Sequence, residues 1–308
     1  MNNSTLIMHI YIGFPIAFLV VVANSPIFAL IGGIFFITTL RPPKNFIPNA
    51  TGTNLLKTGI VILGLTISSS MASSLTSSYF FYISAYVLVV FFVGILLAKI
   101  FRIDFKLGLL ISSGTAICGA TAMAAVSQVI NLKPKELLVS VGIIFLFNAF
   151  AIIAFPLIGK NLDMSFEQFG LFAAMAIHDT GSVVGAAMAY GDEALETAAT
   201  LKLLRTLWLI PLIFVLGIFY KDENSKPQTP LFVLFFVLAI FIGTTLNLGN
   251  ELTNLLKVVS NTLILGALFC IGTQINIKSI SGINLRSFSY ALTLWLIALT
   301  FSFLFIYI

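Results

Sequence analysis

Three short stretches of an otherwise apolar chain carry groups that could do chemistry. The first is Ser112-Ser113-Gly114-Thr115-Ala116-Ile117-Cys118-Gly119-Ala120-Thr121. Its glycines weaken a helix, since Gly costs about 1 kcal/mol relative to Ala in a helix interior. A helix interrupted there would free backbone N–H groups. In lipid such groups persist only where they line a cavity or bind something. A half-helix N-terminus also carries partial positive charge, which suits an anion. The competing use is close helix packing through small residues, and taken alone the stretch fits that use at least as well.

The second stretch is His178-Asp179-Thr180-Gly181-Ser182. An ionisable group at mid-bilayer costs at least ~2.5–3.5 kcal/mol on insertion scales, so it generally has a partner and a role. A carboxylate beside a histidine could form a proton relay; the plainer use is a polar pair locking two helices. The third is Lys202-Leu203-Leu204-Arg205. Spacing i, i+3 puts both cations on one helix face. Lys202 could snorkel outward, whereas Arg205 is deeper. An Arg fork matches an oxyanion in bidentate fashion, or it could neutralise Asp179. A fainter signal is Cys270-Ile271-Gly272-Thr273-Gln274-Ile275-Asn276, whose last polar residues fit interface solvation equally well.

The elements that must position these groups are membrane spans. Of 308 residues, 59% are hydrophobic and 9% charged, against about 25% charged in a soluble domain. Mean hydropathy is +1.09. Spans need ~20 apolar residues, and eleven runs qualify: roughly 5–23, 25–40, 55–71, 79–99, 107–130, 135–158, 166–190, 197–219, 230–247, 255–276 and 286–308. The first two are separated only by Asn24-Ser25-Pro26, so 5–40 reads as one span or two.

With the N-terminus inside, eleven Lys and Arg fall on the inner side, Lys57 among them, and three (Lys133, Lys135, Lys257) on the outer side. That is a positive-inside bias. It places the N-terminus in the cytoplasm and the C-terminus outside, in a bacterial inner membrane. The net charge of +5 therefore encodes topology rather than nucleic-acid binding. Cys118 and Cys270 sit in apolar runs and suggest no disulfide framework or zinc site. No sequence motif calls for a cofactor or a metal, and none marks an enzyme.

No linker separates soluble domains, so residues 1–308 read as one transmembrane domain. Setting the first span aside leaves two groups of five, about 25–160 and 165–308. An odd number per group makes the copies inverted. The fourth member of each carries a Cys, a small-residue step and a Thr, which predicts interrupted helices in the fifth and tenth spans.

Three motifs together resemble one family. Gly114-Thr115-Ala116-Ile117-Cys118-Gly119-Ala120-Thr121-Ala122 looks like its glycine-rich signature; His178 to Ala187 and Lys202 to Pro211 look like its second and third. The family is the YeiH-like membrane proteins, whose assigned role is sulfate export. The resemblance covers most of the chain and is densest over 107–220. It implies a fold similar to NhaA-type antiporters and bile-acid symporters: two inverted five-helix repeats with discontinuous crossing helices. Leu204 departs from the pattern, where Thr is expected, and that leaves the substrate open.

The expectation is an all-α polytopic secondary transporter of a small anion, sulfate or a sulfonate first, working by alternating access. Gly114, Thr115, Cys118, Gly119, Thr121, Lys202, Arg205, Gly272 and Thr273 would bind substrate. His178, Asp179, Thr180 and Ser182 would couple a proton or sodium. A homo-oligomer is allowed. The alternatives are a cation/proton antiporter with Asp179 as ligand, or a non-transporting membrane sensor or intramembrane enzyme.

Overall fold

The computed structural model describes residues 25–40, 49–220, 231–274 and 284–306. The expected first span, 5–23, lies outside them, as do Ile275 and Asn276. Among the described residues there are thirteen helical segments and no strand. They are α1 (Pro26–Leu40), α2 (Asn49–Gly64), α3 (Ser69–Ile100), α4 (Phe105–Ala116), α5 (Ala120–Val129), α6 (Pro134–Asn161), α7 (Phe166–Ala176), α8 (Thr180–Tyr190), α9 (Asp192–Thr206), α10 (Leu209–Phe219), α11 (Leu231–Thr245), α12 (Asn250–Gln274) and α13 (Leu285–Ile306). Among the described residues, five stretches are long and apolar enough to cross a membrane: Ser69–Ile100, Val139–Asn161, Asp192–Phe219, Asn250–Thr273 and Leu285–Ile306. Large apolar side chains stand exposed along them, as at Phe81, Phe92 and Phe214, which a lipid environment tolerates and water does not.

The fifth expected span is interrupted as its glycines predict. α4 ends at Ala116, residues 117–119 are non-helical, and α5 begins at Ala120. Gly119 has φ +61° and ψ −128°, a conformation open essentially to Gly alone.

The tenth span is not interrupted, contrary to expectation: α12 runs unbroken past Cys270, Gly272 and Thr273. Its glycine serves packing instead. A Cβ on Gly272 would lie 2.3 Å from Leu30 O and 3.1 Å from Gly33 Cα, so α1 and α12 meet backbone to backbone. The second interruption lies in the seventh span, where α7 ends at Ala176 and α8 begins at Thr180. Asp179 explains it. Its carboxylate accepts the Ser182 N–H at 2.9 Å and caps a new helix, which suits Asp better than a helix interior does.

Two further boundaries differ from expectation. The eighth span pauses at Leu207-Trp208, ahead of Pro211, which has no N–H to continue the ladder. α2 starts at Asn49 rather than 55, because its polar first turns are helical and Gly52 packs on Cys270, 2.8 Å from its Cβ position. Lys57 therefore sits in a helix interior and is not a loop charge.

Two packing groups emerge. α1, α2, α11 and α12 pack on one another, α12 lying against both α1 and α2. α3 to α10 and α13 form the larger group, centred on α9 against α7 and α8. The groups meet where α8 touches α1 and α12, where α3 meets α11, and where α6 meets α1. Ser69 N–H donates to Thr244 Oγ1 at 2.9 Å across this seam. Lys257 of α12 pairs with Glu196 of α9 at 2.7 Å.

Candidate functional site

The two interruptions touch. A Cβ on Gly119 would lie 3.2 Å from His178 C and Asp179 N, so only a glycine lets the chains come this close. Short connections at 130–133 and 162–165 fold the long helix α6 back between them. The two interrupted spans therefore run in the same direction. The C-terminal ends of α4 and α7 lie side by side, and so do the N-terminal ends of α5 and α8.

The last four carbonyls of a helix have no partner inside it. Buried in a membrane protein, each needs a donor or costs free energy. In α4, Ser113 O accepts from Ile117 N at 3.0 Å and Gly114 O from Gly119 N at 2.8 Å. Ala116 O accepts from Arg205 Nε at 2.7 Å, and Thr115 O accepts from Arg205 Nη2. In α7, Ala173 O accepts from Ile177 N at 3.1 Å. Ala174 O accepts from Arg205 Nη1 at 2.8 Å and Met175 O from the same nitrogen at 2.7 Å. Met175 O also accepts from Tyr86 Oη at 2.5 Å, and Ala176 O from Trp295 Nε1 at 2.9 Å. Ile177 O accepts from Lys202 Nζ at 2.7 Å.

Every terminal carbonyl of both half-helices is thus satisfied, and Arg205 serves both ends at once. Its guanidinium also lies 5.0 Å from the centre of the Tyr86 ring, a cation–π contact. The two cations expected to meet substrate serve the helix ends in this structure. Arg205 and Lys202 are both buried, and their donors go to carbonyls rather than toward a cavity. The expected Arg205–Asp179 pair is not formed either; Lys257–Glu196 is the ion pair found among the described residues.

The N-terminal ends are built differently. Asp179 Oδ2 accepts from Ser182 Oγ at 2.6 Å and from Asn148 Nδ2, and Oδ1 accepts from Ser182 N at 2.9 Å. Three donors leave the carboxylate in an acceptor role, as an ionised group prefers. Gly119 gives α5 no side-chain cap. Thr121 is exposed, and Asp179 and Thr180 are half-buried. The stretches ending α4 and α7 are fully buried by contrast. The open side of the crossing is therefore the N-terminal side.

The electrostatics follow from this arrangement. Each helix end carries roughly half a charge. Two negative ends meet Arg205 and Lys202; two positive ends meet Asp179. The side chains at the crossing sum to one net positive charge, counting His178 as neutral.

Asn148 is the residue that sequence reasoning missed. It is buried on α6. Its Oδ1 accepts from His178 N at 3.2 Å and faces His178 Nδ1 at 3.2 Å, while its Nδ2 donates to Asp179. An amide oxygen only accepts, so His178 carries its hydrogen on Nδ1 and presents a lone pair at Nε2. The His178 ring stacks near Phe147 and Trp295. Its Nε2 and the Thr115 hydroxyl are buried polar atoms without a hydrogen-bond partner among the described residues. The available signal was a lone Asn in the middle of a long apolar helix.

The structure brings Thr115, Cys118, Gly119, His178, Asp179, Ser182, Lys202 and Arg205 to one crossing, with Thr121 and Thr180 on its open edge. Gly114 makes room for Met123 of α5, whose Cγ lies 2.8 Å from its Cβ position. Gly272 and Thr273 stand apart: Gly272 packs on α1, and the Thr273 hydroxyl donates to Cys270 O at 2.7 Å.

Residues 6–291 match the profile of a family described as conserved hypothetical protein 698. The chain belongs to this family, the YeiH-like one that its three motifs resemble. Family relatives include a UPF0324 membrane protein of Bacteroides thetaiotaomicron, 37% identical over 89% of this chain and 83% of its own length. One from Photobacterium profundum is 38% identical over 89% of this chain and 84% of its own length. One from Vibrio parahaemolyticus is 35% identical over 95% and 96%. No solved structure matches the chain. Family membership and the apolar helices together make this a multi-pass membrane protein.

Proposed function

We propose that the protein is a secondary active transporter of a small anion, of the sulfate or sulfonate type, working by alternating access in the bacterial inner membrane. One observation carries the reading. Two parallel helices are interrupted at a shared contact, and the positive ends of their second halves face the accessible side. Helix N-termini attract anions, and interrupted helices at mid-membrane are the usual place for a transporter site. The thin seam between the two packing groups offers a surface along which one group could shift against the other. Asp179 would hold the positive end of α8 in register, and His178 Nε2 would be open to a proton or a donor group.

A second reading is a cation/proton antiporter. It is favoured by Asp179, a carboxylate that is partly accessible while both neighbouring cations are buried. Purified protein in proteoliposomes separates the two. An inward jump in sulfate, sulfite or taurine should give an anion-dependent current or tracer uptake. Proton movement driven by sodium or potassium, with no anion response, would replace the first reading with the second.

A further inference from the structure

The seam between the two packing groups holds a cavity of about 720 Å³, walled by α3 and α9 of the larger group and α11 of the smaller one. That volume is in the range of small-molecule sites. Among the described residues no charged side chain lines it, which makes it a poor seat for an anion. Leu204, the residue that departs from the family pattern, is on its wall.

The walls are graded in polarity. On α3, Ser69, Ser73, Thr76 and Ser77 recur at i, i+4, i+7 and i+8, which is one helix face, and Phe80 and Phe81 come after them. On α9, Thr200 comes before Leu203, Leu204 and Leu207. α3 opens the fourth span and α9 the eighth, so both run the same way and put their hydroxyls at the same end. Ser69 is the first residue of its helix, and Asp192 and Glu193 open α9, so the hydroxyl end lies toward the membrane surface. From Ser69 to Phe81 the cavity runs ~18 Å along α3, at a rise of about 1.5 Å per residue. That is close to one leaflet of a hydrocarbon core ~30 Å thick.

The cavity opens onto hydrocarbon. Phe81, Val237 and Phe241 line it and are 78%, 55% and 64% exposed, so its wall is continuous with the apolar surface that faces lipid. The polar ties across the seam lie at the hydroxyl end: Ser69 N–H to Thr244 Oγ1, and Glu196 to Lys257 one turn before Thr200.

We propose that this cavity is a phospholipid site, in which one acyl tail lies along the seam with its ester end at the Ser and Thr hydroxyls and its chain against Phe80, Leu204 and Leu207. Polarity gradient, length and opening all fit that occupant. The tail touches both packing groups, so it favours the arrangement seen here over any in which they have shifted apart. The site stands whichever solute the crossing handles.

The test uses the full-length protein exchanged exhaustively into dodecyl maltoside, with dipalmitoyl and dihexanoyl phosphatidylglycerol as probes. Native mass spectrometry counts bound lipid, and melting curves read its effect. Leu204→Trp and Ser73→Phe fill the cavity; Phe92→Trp alters an exposed apolar position outside it. Wild type and Phe92→Trp should hold one long-tailed lipid per chain and melt higher when it is supplied. The filled variants should bind it roughly tenfold or more weakly, because the ring displaces chain whose burial drives binding. Ser73 is exposed, so Ser73→Phe keeps the test valid even where Leu204→Trp fails to fold. Filled variants that bind as wild type does would overturn the site, and dihexanoyl lipid binding as well as dipalmitoyl would overturn the tail as its ligand. Lipid lost entirely to detergent, or a dimer that Leu204→Trp dissociates, would overturn the proposal in favour of another occupant.

Discussion

Replacing Arg205 by Met keeps the apolar stem and removes the guanidinium. Ala174 O would keep Lys202 at 3.4 Å, Ile177 O would keep it at 2.7 Å, and Met175 O would keep Tyr86 at 2.5 Å. Thr115 O and Ala116 O would keep no donor among the described residues. A buried acceptor stripped of its partner costs about 1–3 kcal/mol, so the two together cost about 2–6 kcal/mol. The lost contact with Tyr86 adds about 0.5–2 kcal/mol. Lys202→Met should cost less, because Arg205 Nη1 still reaches Ala174 O at 2.8 Å and Ile177 O at 3.4 Å. Arg205→Lys should fall between, retaining the charge at the helix ends but not the fork that spans them. The assay is unfolding by SDS in mixed micelles, followed by circular dichroism. Arg205→Met within about 1 kcal/mol of wild type, or Lys202→Met the more damaging of the two, would refute the account of the clasp, since two orphaned carbonyls cannot be that cheap.

Three further outcomes are expected. Asn148→Ala should lower stability by about 1–3 kcal/mol by stripping the His178 ring N–H and one donor of Asp179; Asn148→Asp should be worse, since it sets a second carboxylate against the first, and a melting curve with parallel uptake assays reads both. Gly119→Ala should cost on the order of 1–3 kcal/mol and abolish uptake, because the added methyl group meets His178 and Asp179 in a backbone conformation closed to alanine. Glu196→Lys or Lys257→Glu alone should slow uptake with little change in melting point, since a partly exposed pair contributes only about 0–1 kcal/mol; the double charge reversal should restore the rate if the pair joins the two packing groups.

Much of this was legible beforehand, though not all for the right reason. The break at 117–119 follows from Gly114, Gly119 and a run of hydroxyls that no stable helix interior needs. The break at 177–179 was missed because Asp179 was weighed as an ion ligand or a charge partner. A carboxylate three residues before a serine is equally a helix cap, and here it is that. The tenth span was misjudged for the opposite reason. Cys270 to Thr273 mimic the broken stretch in composition, yet the deciding residue is Gly33 on another helix, and the sequence gives no direct sign that the two meet. Arg205 reads from sequence as a deep cation awaiting an oxyanion or Asp179, and its donors go elsewhere. Its partners are backbone carbonyls from two helices, which carry no side-chain signature at all. Asn148 was hidden by its surroundings, one amide in a long run of Phe, Ile and Ala.

The account turns on the accessible side of the crossing, and a cysteine at Thr121 tests it most directly. Cys118 and Cys270 are buried, so the background labelling should be low. In Thr121→Cys the thiol should react readily with a membrane-impermeant maleimide, and sulfate should slow that reaction in proportion to its occupancy of the site. A thiol that stays unreactive in folded protein, or one whose labelling rate sulfate leaves unchanged, would contradict the placing of an anion at the N-terminal ends of α5 and α8.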